Sequence, residues 1–301
     1  MSDGLTTRLE HGRRLDLRAT WFAVNTVFTG VNSKLAKGHG VRAFHTPEGP
    51  VEIEAMGGDG SVVARAWGDG ARFALDRLPL LLGLGDGIED WRPKHELVRD
   101  LHRKNLGSRH AHHGDIASLA VQVIFAQLVA GKEASRSWNG LARAHGGTSP
   151  GPYALPMSPH PEVIAGLSRS QLVQIGALGK MADAIQRVMR HRKRIEELSW
   201  SDPAALCELL ESLRGIGPWT VGILRLRGLG DVDAVPVGDY NLPNVVRWAL
   251  ERQPRGDDAR MLELLEPFAG YRGRVVRLLE ENGQQAPRFG ARKPVRSLKT
   301  W

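Results

Sequence analysis

The sequence predicts a mainly α protein, an all-helical body preceded by a small α+β domain with an antiparallel sheet. Apolar residues recur at three- and four-residue spacing from His95 onward, the period of amphipathic helices. Alternating strand patterns with Gly/Asp turns are confined to the first ninety-odd residues. The composition, 301 residues with 42% hydrophobic and 25% charged, is that of an ordinary globular chain, long enough for one large domain or two to three smaller ones.

Taken in order, Arg14 to Trp21 reads as a first strand. Val51-Glu-Ile-Glu-Ala alternates apolar and acidic residues, Gly57-Gly-Asp-Gly60 is a turn, and Ser61 to Trp67 is the next strand. Gly68-Asp-Gly70 turns again, into a strand over Ala71–Leu75. A Gly-, Asp- and Pro-rich loop, Gly83 to Pro93, sets the expected boundary between an N-terminal domain, 1–94, and a helical body, 95–301. Helices are expected over His95–Leu106, Asp115–Ala130, Glu133–His145, Ser170–Leu178, Lys180–Arg194, Pro203–Leu213, Pro218–Leu226, Leu242–Arg252 and Asp258–Phe268. Asp202 is a natural N-cap with Pro203 at the first helical position. Ile116 to Gly131 is interrupted by Ser118, Gln122 and Gln127. It falls short of the roughly 20 apolar residues of a membrane span and reads as a buried core helix. Gly146 to Pro161 reads as an irregular loop.

The single cysteine, Cys207, excludes a disulfide framework within the chain and a four-Cys zinc or iron–sulfur site. It lies among apolar neighbours and reads as inert core. A reducing compartment is expected, and MSDGLTTRLEHGRRLD has no apolar export region, so the expected location is the cytoplasm, beside the nucleoid in a bacterium. Lys and Arg outnumber Asp and Glu, 41 to 33, and the net charge of +8 points to a polyanionic partner. Much of that excess lies in the last tenth of the chain and ends in a basic tail, 288–301.

The most informative stretch is Leu213-Arg-Gly-Ile-Gly-Pro-Trp-Thr-Val221, which joins one helix to the next. Gly215 and Gly217 permit positive φ, and Ile216 plugs the gap between the helices. The two glycine amides, at a helix N-terminus, suit a DNA phosphate through sequence-independent contacts. A plain helical hairpin with a glycine cap would need the same residues. Downstream, Gly230 to Leu242 is a Gly/Pro-rich return that brings Asp239 to just before another helix.

This order of helix, hairpin, helix, Gly/Pro-rich loop and Asp resembles the helix–hairpin–helix (HhH) DNA glycosylase superfamily, most closely its bacterial 3-methyladenine DNA glycosylase II branch. Gly-Ile-Gly-Pro-Trp-Thr, Leu226-Arg-Gly and Asp239-Tyr240 carry the resemblance. Val123 to Ala134 resembles the family's Ile-Leu-Gly-Gln helix and loop, and Leu167-Ser with Gln174 to Ala182 resembles the helix pair that follows. The match covers about residues 95–285. It implies a monomeric, monofunctional enzyme that flips alkylated purines out of duplex DNA in base excision repair. Asp239 is then the catalytic carboxylate, stabilising an oxocarbenium-like transition state and orienting water. Asp231 and Asp233 fit caps or solvent, and Asn241 fits the N-cap of the next helix better than Asp239.

A cationic base is selected by aromatic faces, so Trp219 and Tyr240, which flank the motif, and Phe125 are the base-pocket candidates, although Phe125 fits a core position as well. Leu128 or Gln127 is the wedge that fills the vacated stack, and Gly215, Gly217, Thr220 and Lys132 are further DNA contacts. Trp219 stands where other members carry a Schiff-base lysine, so no strand nicking is expected. No cofactor is required, and backbone carbonyls of Glu211, Leu213 and Ile216 would hold a structural Na+ or K+. Two departures leave the lesion range open: the branch's pocket Trp aligns near Glu280, and its pocket Tyr aligns with Ile223. The same chemistry on hypoxanthine, uracil or an oxidised purine, and a non-catalytic DNA-binding protein, are the alternatives. Arg109-His-Ala-His112-His113-Gly-Asp115 reads as a polar loop facing DNA or solvent rather than a metal site.

Overall fold

A computed structural model describes residues 3–24, 32–127, 129 and 131–287; Leu128 and the basic tail lie outside them. Five strands, β1 (Leu5–Glu10), β2 (Ser33–Ala36), β3 (His39–Thr46), β4 (Gly49–Gly57) and β5 (Ser61–Trp67), form an antiparallel sheet in the order β1-β5-β4-β3-β2. Two segments expected as strands are helical. In α1 (Leu17–Val24), Asp16 Oδ1 caps the first turn by accepting from the Ala19 amide at 2.9 Å. Leu17, Trp21 and Val24 share its buried side, and the Trp21 indole donates to the Leu81 carbonyl at 2.8 Å. In α2 (Ala71–Asp76) and α3 (Leu78–Leu81), residues 71, 74, 75 and 78 repeat at helical spacing. That period shows only when the reading frame runs past Asp76. These helices cover one face of the sheet through Val51, Ile53 and Ala55.

The acidic residues alternating on β4 do not face water. Glu52 is 0% and Glu54 7% exposed, beneath residues 149–157. The Ser149 hydroxyl and the Tyr153 amide donate to Glu52, and the Tyr153 hydroxyl donates to Glu54. Leu155 and Met157 pack on Val41 and Ala43 beside them. A distant loop supplies the donors that solvent was expected to supply, and so closes the second face of the sheet.

The rest is helical: α4 (Glu96–Lys104), α5 (Ile116–Ala126), α6 (Gly131–His145), α7 (Pro161–Gly166), α8 (Arg169–Ile175), α9 (Gly179–Arg190), α10 (Arg192–Ser201), α11 (Pro203–Ser212), α12 (Pro218–Ile223), α13 (Leu242–Glu251), α14 (Asp258–Leu265) and α15 (Arg272–Glu281). A π-helical stretch, Leu224–Leu229, continues α12. The expected helix over Lys180–Arg194 breaks at His191. Ile116 to Phe125 are all buried, so α5 is the core helix that its sequence predicts. A second core joins α4 to α13, α14 and α15. No described helix is long and apolar enough to cross a membrane.

The histidine run is buried, contrary to its reading as a polar surface loop. His110 is 3% exposed, and His112 and His113 are 5%. Arg274 and Arg277 of α15 hold this segment through the carbonyls of Asn105, Ser108 and Arg109 at 2.5–2.8 Å. Arg109 is itself paired with Asp86 and Glu89 at 2.7 and 2.6 Å. The polar sequence is buried because guanidinium groups satisfy its backbone. The Gly114 amide donates to His112 Nδ1 at 3.0 Å, so His112 Nε2 donates to the Ser199 carbonyl at 3.2 Å, the pattern of a neutral ring.

Asp115 caps α5, accepting from the Ser118 amide at 2.9 Å. Glu196 of α10 accepts the Ala117 amide at 2.6 Å. Its other oxygen and Asp115 Oδ2 are both sealed from water with no further partner. A single proton between them resolves this, and burial together with the charge of Asp115 holds Glu196 protonated well above the usual carboxylate range. A carboxyl raised in the folded state stabilises the fold below the ordinary pKa and loses that contribution as pH rises toward its folded value. Glu196→Gln, a permanent donor to Asp115, should raise the melting temperature at pH 8 by a few degrees, whereas Glu196→Ala should lower it. Thermal unfolding of both variants checks this, and a less stable Gln variant would sink the shared proton.

Candidate active site

The hairpin turns on Gly215, and the crossing that follows it on Gly222. Gly215 has φ +98, and a Cβ there would stand 3.1 Å from that of Ala184. Gly217 is at φ −106, ψ 177, so positive φ is needed at Gly215 only. Ile216, 7% exposed, plugs the core between α11 and α12 as expected. A Cβ on Gly222 would meet Pro236 Cα at 2.6 Å, so its absence lets α12 cross the 234–237 return closely.

That crossing sets Trp219 against Asp239. The indole N–H donates to Asp239 Oδ2 at 2.8 Å. Asp239 Oδ1 accepts the amides of Asn241 and Leu242 at 2.8 and 2.9 Å. Asp239 therefore caps α13, and the Asn241 side chain makes no cap bond, a correction to the cap expected at Asn241. Gly238, at φ +90, makes the bend that folds the carboxylate back, and its amide is held by Asp258 Oδ2 at 3.0 Å. One oxygen of Asp239 is thus locked to backbone, while the other meets the indole and the residue stays half-buried. The rivals are occupied elsewhere: Asp231 pairs with Arg225 at 2.7 Å, and Asp233 accepts from Arg272 at 2.9 Å.

Trp219 is half-buried and Tyr240 is 78% exposed. Phe125 is not a pocket residue: at 1% exposure, inside the helical core, it has no face to offer a base. The Thr220 side chain is likewise buried, at 1%, and its hydroxyl accepts from Gln127 Nε2 at 2.9 Å rather than meeting DNA. The same nitrogen donates to the Gly215 carbonyl at 3.1 Å. Gln127 clamps the end of α5 to the hairpin instead of standing free as a wedge. Leu128, the other wedge candidate, falls outside the described residues. Lys132 is exposed on the first turn of α6. Sequence reading missed Arg187 of α9, whose guanidinium caps the Arg214 carbonyl of the turn at 2.9 Å; no local pattern marks it.

Among the described residues, no three His, Cys, Asp or Glu side chains are grouped to hold a metal. The carbonyl set proposed for a monovalent ion keeps the right donor chemistry. Leu213 O accepts the Ile216 amide at 3.0 Å, which leaves it a second lone pair.

Glu280 lies on the last turn of α15. Arg227, only 11% exposed, pairs with Glu280 and with Glu281 at 2.9 Å each, and Arg277 holds Glu281 at 3.0 Å. The Glu280 side chain is 42% exposed. Dehydration raises its pKa; Arg227 opposes this, and the nearby charge of Asp239 adds to it.

This architecture is the HhH DNA glycosylase fold. The 3-methyladenine DNA glycosylase from Archaeoglobus fulgidus superposes with a TM-score of 0.72 at 18% identity, covering 91% of this chain and 96% of that one. An 8-oxoguanine glycosylase/lyase from Clostridium acetobutylicum, solved with double-stranded DNA, gives 0.67 at 13% identity, covering 94% and 97%. In sequence, the chain is 28% identical over 130 residues to a probable bifunctional transcriptional activator/DNA repair enzyme AlkA of Mycobacterium tuberculosis. That match spans 42% of this chain but only 26% of the relative. No family model matches the chain.

Proposed function

We propose that this protein is a DNA glycosylase that removes alkylated purines of the 3-methyladenine type from duplex DNA and acts as a monomer in the cytoplasm. The observation that carries the reading is the Asp239–Trp219 pair, set beside the hairpin on a glycosylase fold. With the base flipped out of the stack, cleavage of the N-glycosidic bond builds positive charge on the sugar. The outer oxygen of Asp239, rigidly aimed by the backbone bonds to its partner, stabilises that charge and orients the attacking water. The Trp219 ring, fixed by its own N–H, presents a face to a cationic base. The hairpin amides at Gly215 and Gly217 take a backbone phosphate. A Na+ or K+ on the carbonyls of Glu211, Leu213 and Ile216 would add positive charge beside that phosphate.

An indole forms no Schiff base, so excision should leave an abasic site without nicking the strand. Two measurements test this. Single-turnover assays on methylated duplex should show release of 3-methyladenine and 7-methylguanine, and borohydride should trap no covalent protein–DNA adduct. Activity on hypoxanthine, uracil or oxidised guanine alone would move the reading to another lesion, a range that the departures at Glu280 and Ile223 leave open. Duplex binding with no release from any lesion would leave a non-catalytic DNA-binding protein.

A further inference from the structure

We infer that Glu280 is a specificity-determining residue, a carboxylate that accepts hydrogen bonds from the N–H groups of the flipped base. The inference rests on the glycosylase reading and deepens it. Glu280 Oε2 is held by Arg227 at 2.9 Å, and Arg227 is fixed in turn by Glu281. This ion pair locks the orientation of the carboxylate through Oε2, and Oε1 makes no hydrogen bond to another described residue, on a side chain that is 42% exposed. The position is close enough to Asp239 for the two charges to be felt. Asp239 caps the N-terminus of α13 through the Leu242 amide, Glu280 lies on the last turn of α15, and the two helices share one core.

An oriented anionic acceptor selects by chemistry. It favours a base edge with N–H donors, such as the exocyclic amine of 3-methyladenine or the amino and imino groups of 7-methylguanine. It disfavours an edge that offers only acceptors, because two lone pairs would confront each other in a partly dehydrated site. A base whose amine is tied into a ring, 1,N6-ethenoadenine, has no such donor.

Glu280→Gln tests this sharply. Arg227 donates to whichever atom it faces, so it turns the amide oxygen toward itself and leaves the NH2 where Oε1 stood. An acceptor becomes a donor with almost no change in shape, and Glu281 still anchors Arg227. The single-turnover release rates of 3-methyladenine and of 1,N6-ethenoadenine from duplex DNA should be compared in wild type and Glu280→Gln. Their ratio should fall about ten- to a hundredfold in the variant, the range for a hydrogen bond to a charged group. Equal loss on both lesions, or no change in the ratio, would overturn the role of Glu280 while leaving the glycosylase reading intact. A wild type that releases neither base, nor any of the wider panel, overturns both. Unchanged thermal unfolding of the variant excludes a folding defect as the cause.

Discussion

Asp239→Asn is expected to lower base release by about a hundred- to a thousandfold while duplex affinity stays within a few-fold, the cost of removing one preorganised electrostatic element. The structure makes this substitution unusually clean. The asparagine oxygen can keep both bonds to the amides of Asn241 and Leu242, so the cap of α13 and the fold survive. What changes is the outer atom: an NH2 replaces Oδ2 and faces the Trp219 N–H, donor against donor. The negative charge is lost and the indole loses its anchor together. Trp219→Phe, which keeps an aromatic face and drops only the N–H, should cost much less. Single-turnover release beside fluorescence anisotropy on the same duplex separates chemistry from binding. Release by Asp239→Asn within tenfold of wild type would remove Asp239 from the mechanism.

The hairpin and its Asp were legible because their demands are local. Gly215, Ile216 and the Asp a short return downstream each answer a constraint of the adjacent backbone. Legibility failed where a distant segment decided the outcome. The stretch Asp239-Tyr-Asn241 offers two acceptors suited to a cap, and only the bend at Gly238 selects Asp239. Glu52 and Glu54 alternate as a solvated face would, yet a loop one hundred residues away buries them. Gln127 ends an apolar helix in the manner of a wedge, but the Gly215 carbonyl and Thr220 hydroxyl claim its amide. Phe125 suits a pocket or a core by its aromatic ring alone, and the packing of α5 turns it inward. The histidine run had every mark of a surface loop; its burial depends on arginines of α15, far away in sequence.

Because of that burial, the fold should be acid-labile well above the range where carboxylates titrate. His102, His110, His112 and His113 are all buried. Burial lowers His112 and His113 to about 3 and His102 to about 4, and pushes His110 well down beside Arg277, Arg274 and Arg227. A histidine depressed in the folded state leaves stability unchanged above its unfolded pKa and costs stability as pH falls below it, because only the unfolded chain then takes the proton. The window therefore opens near pH 6.5 and runs down to the folded values. If all four rings stay neutral until the chain opens, the slope below pH 6 approaches about 5 kcal/mol per pH unit, against a total stability of about 5–15 kcal/mol. Glu196 works the other way over part of this range, since its raised pKa makes folding easier as pH falls. One carboxyl cannot offset four imidazoles. Urea unfolding at pH 7.5, 6.5, 5.5 and 5.0 should show a steep fall starting at the histidine pKa, and a slope worth no more than one proton would show that the rings are protonated in place. The segment 108–115, which carries three of the four rings, bonds to the π-helical turn after α12 through the His113 amide and the Gly228 carbonyl at 2.7 Å. Base release should fail over the same pH interval as the fold, and for the same reason.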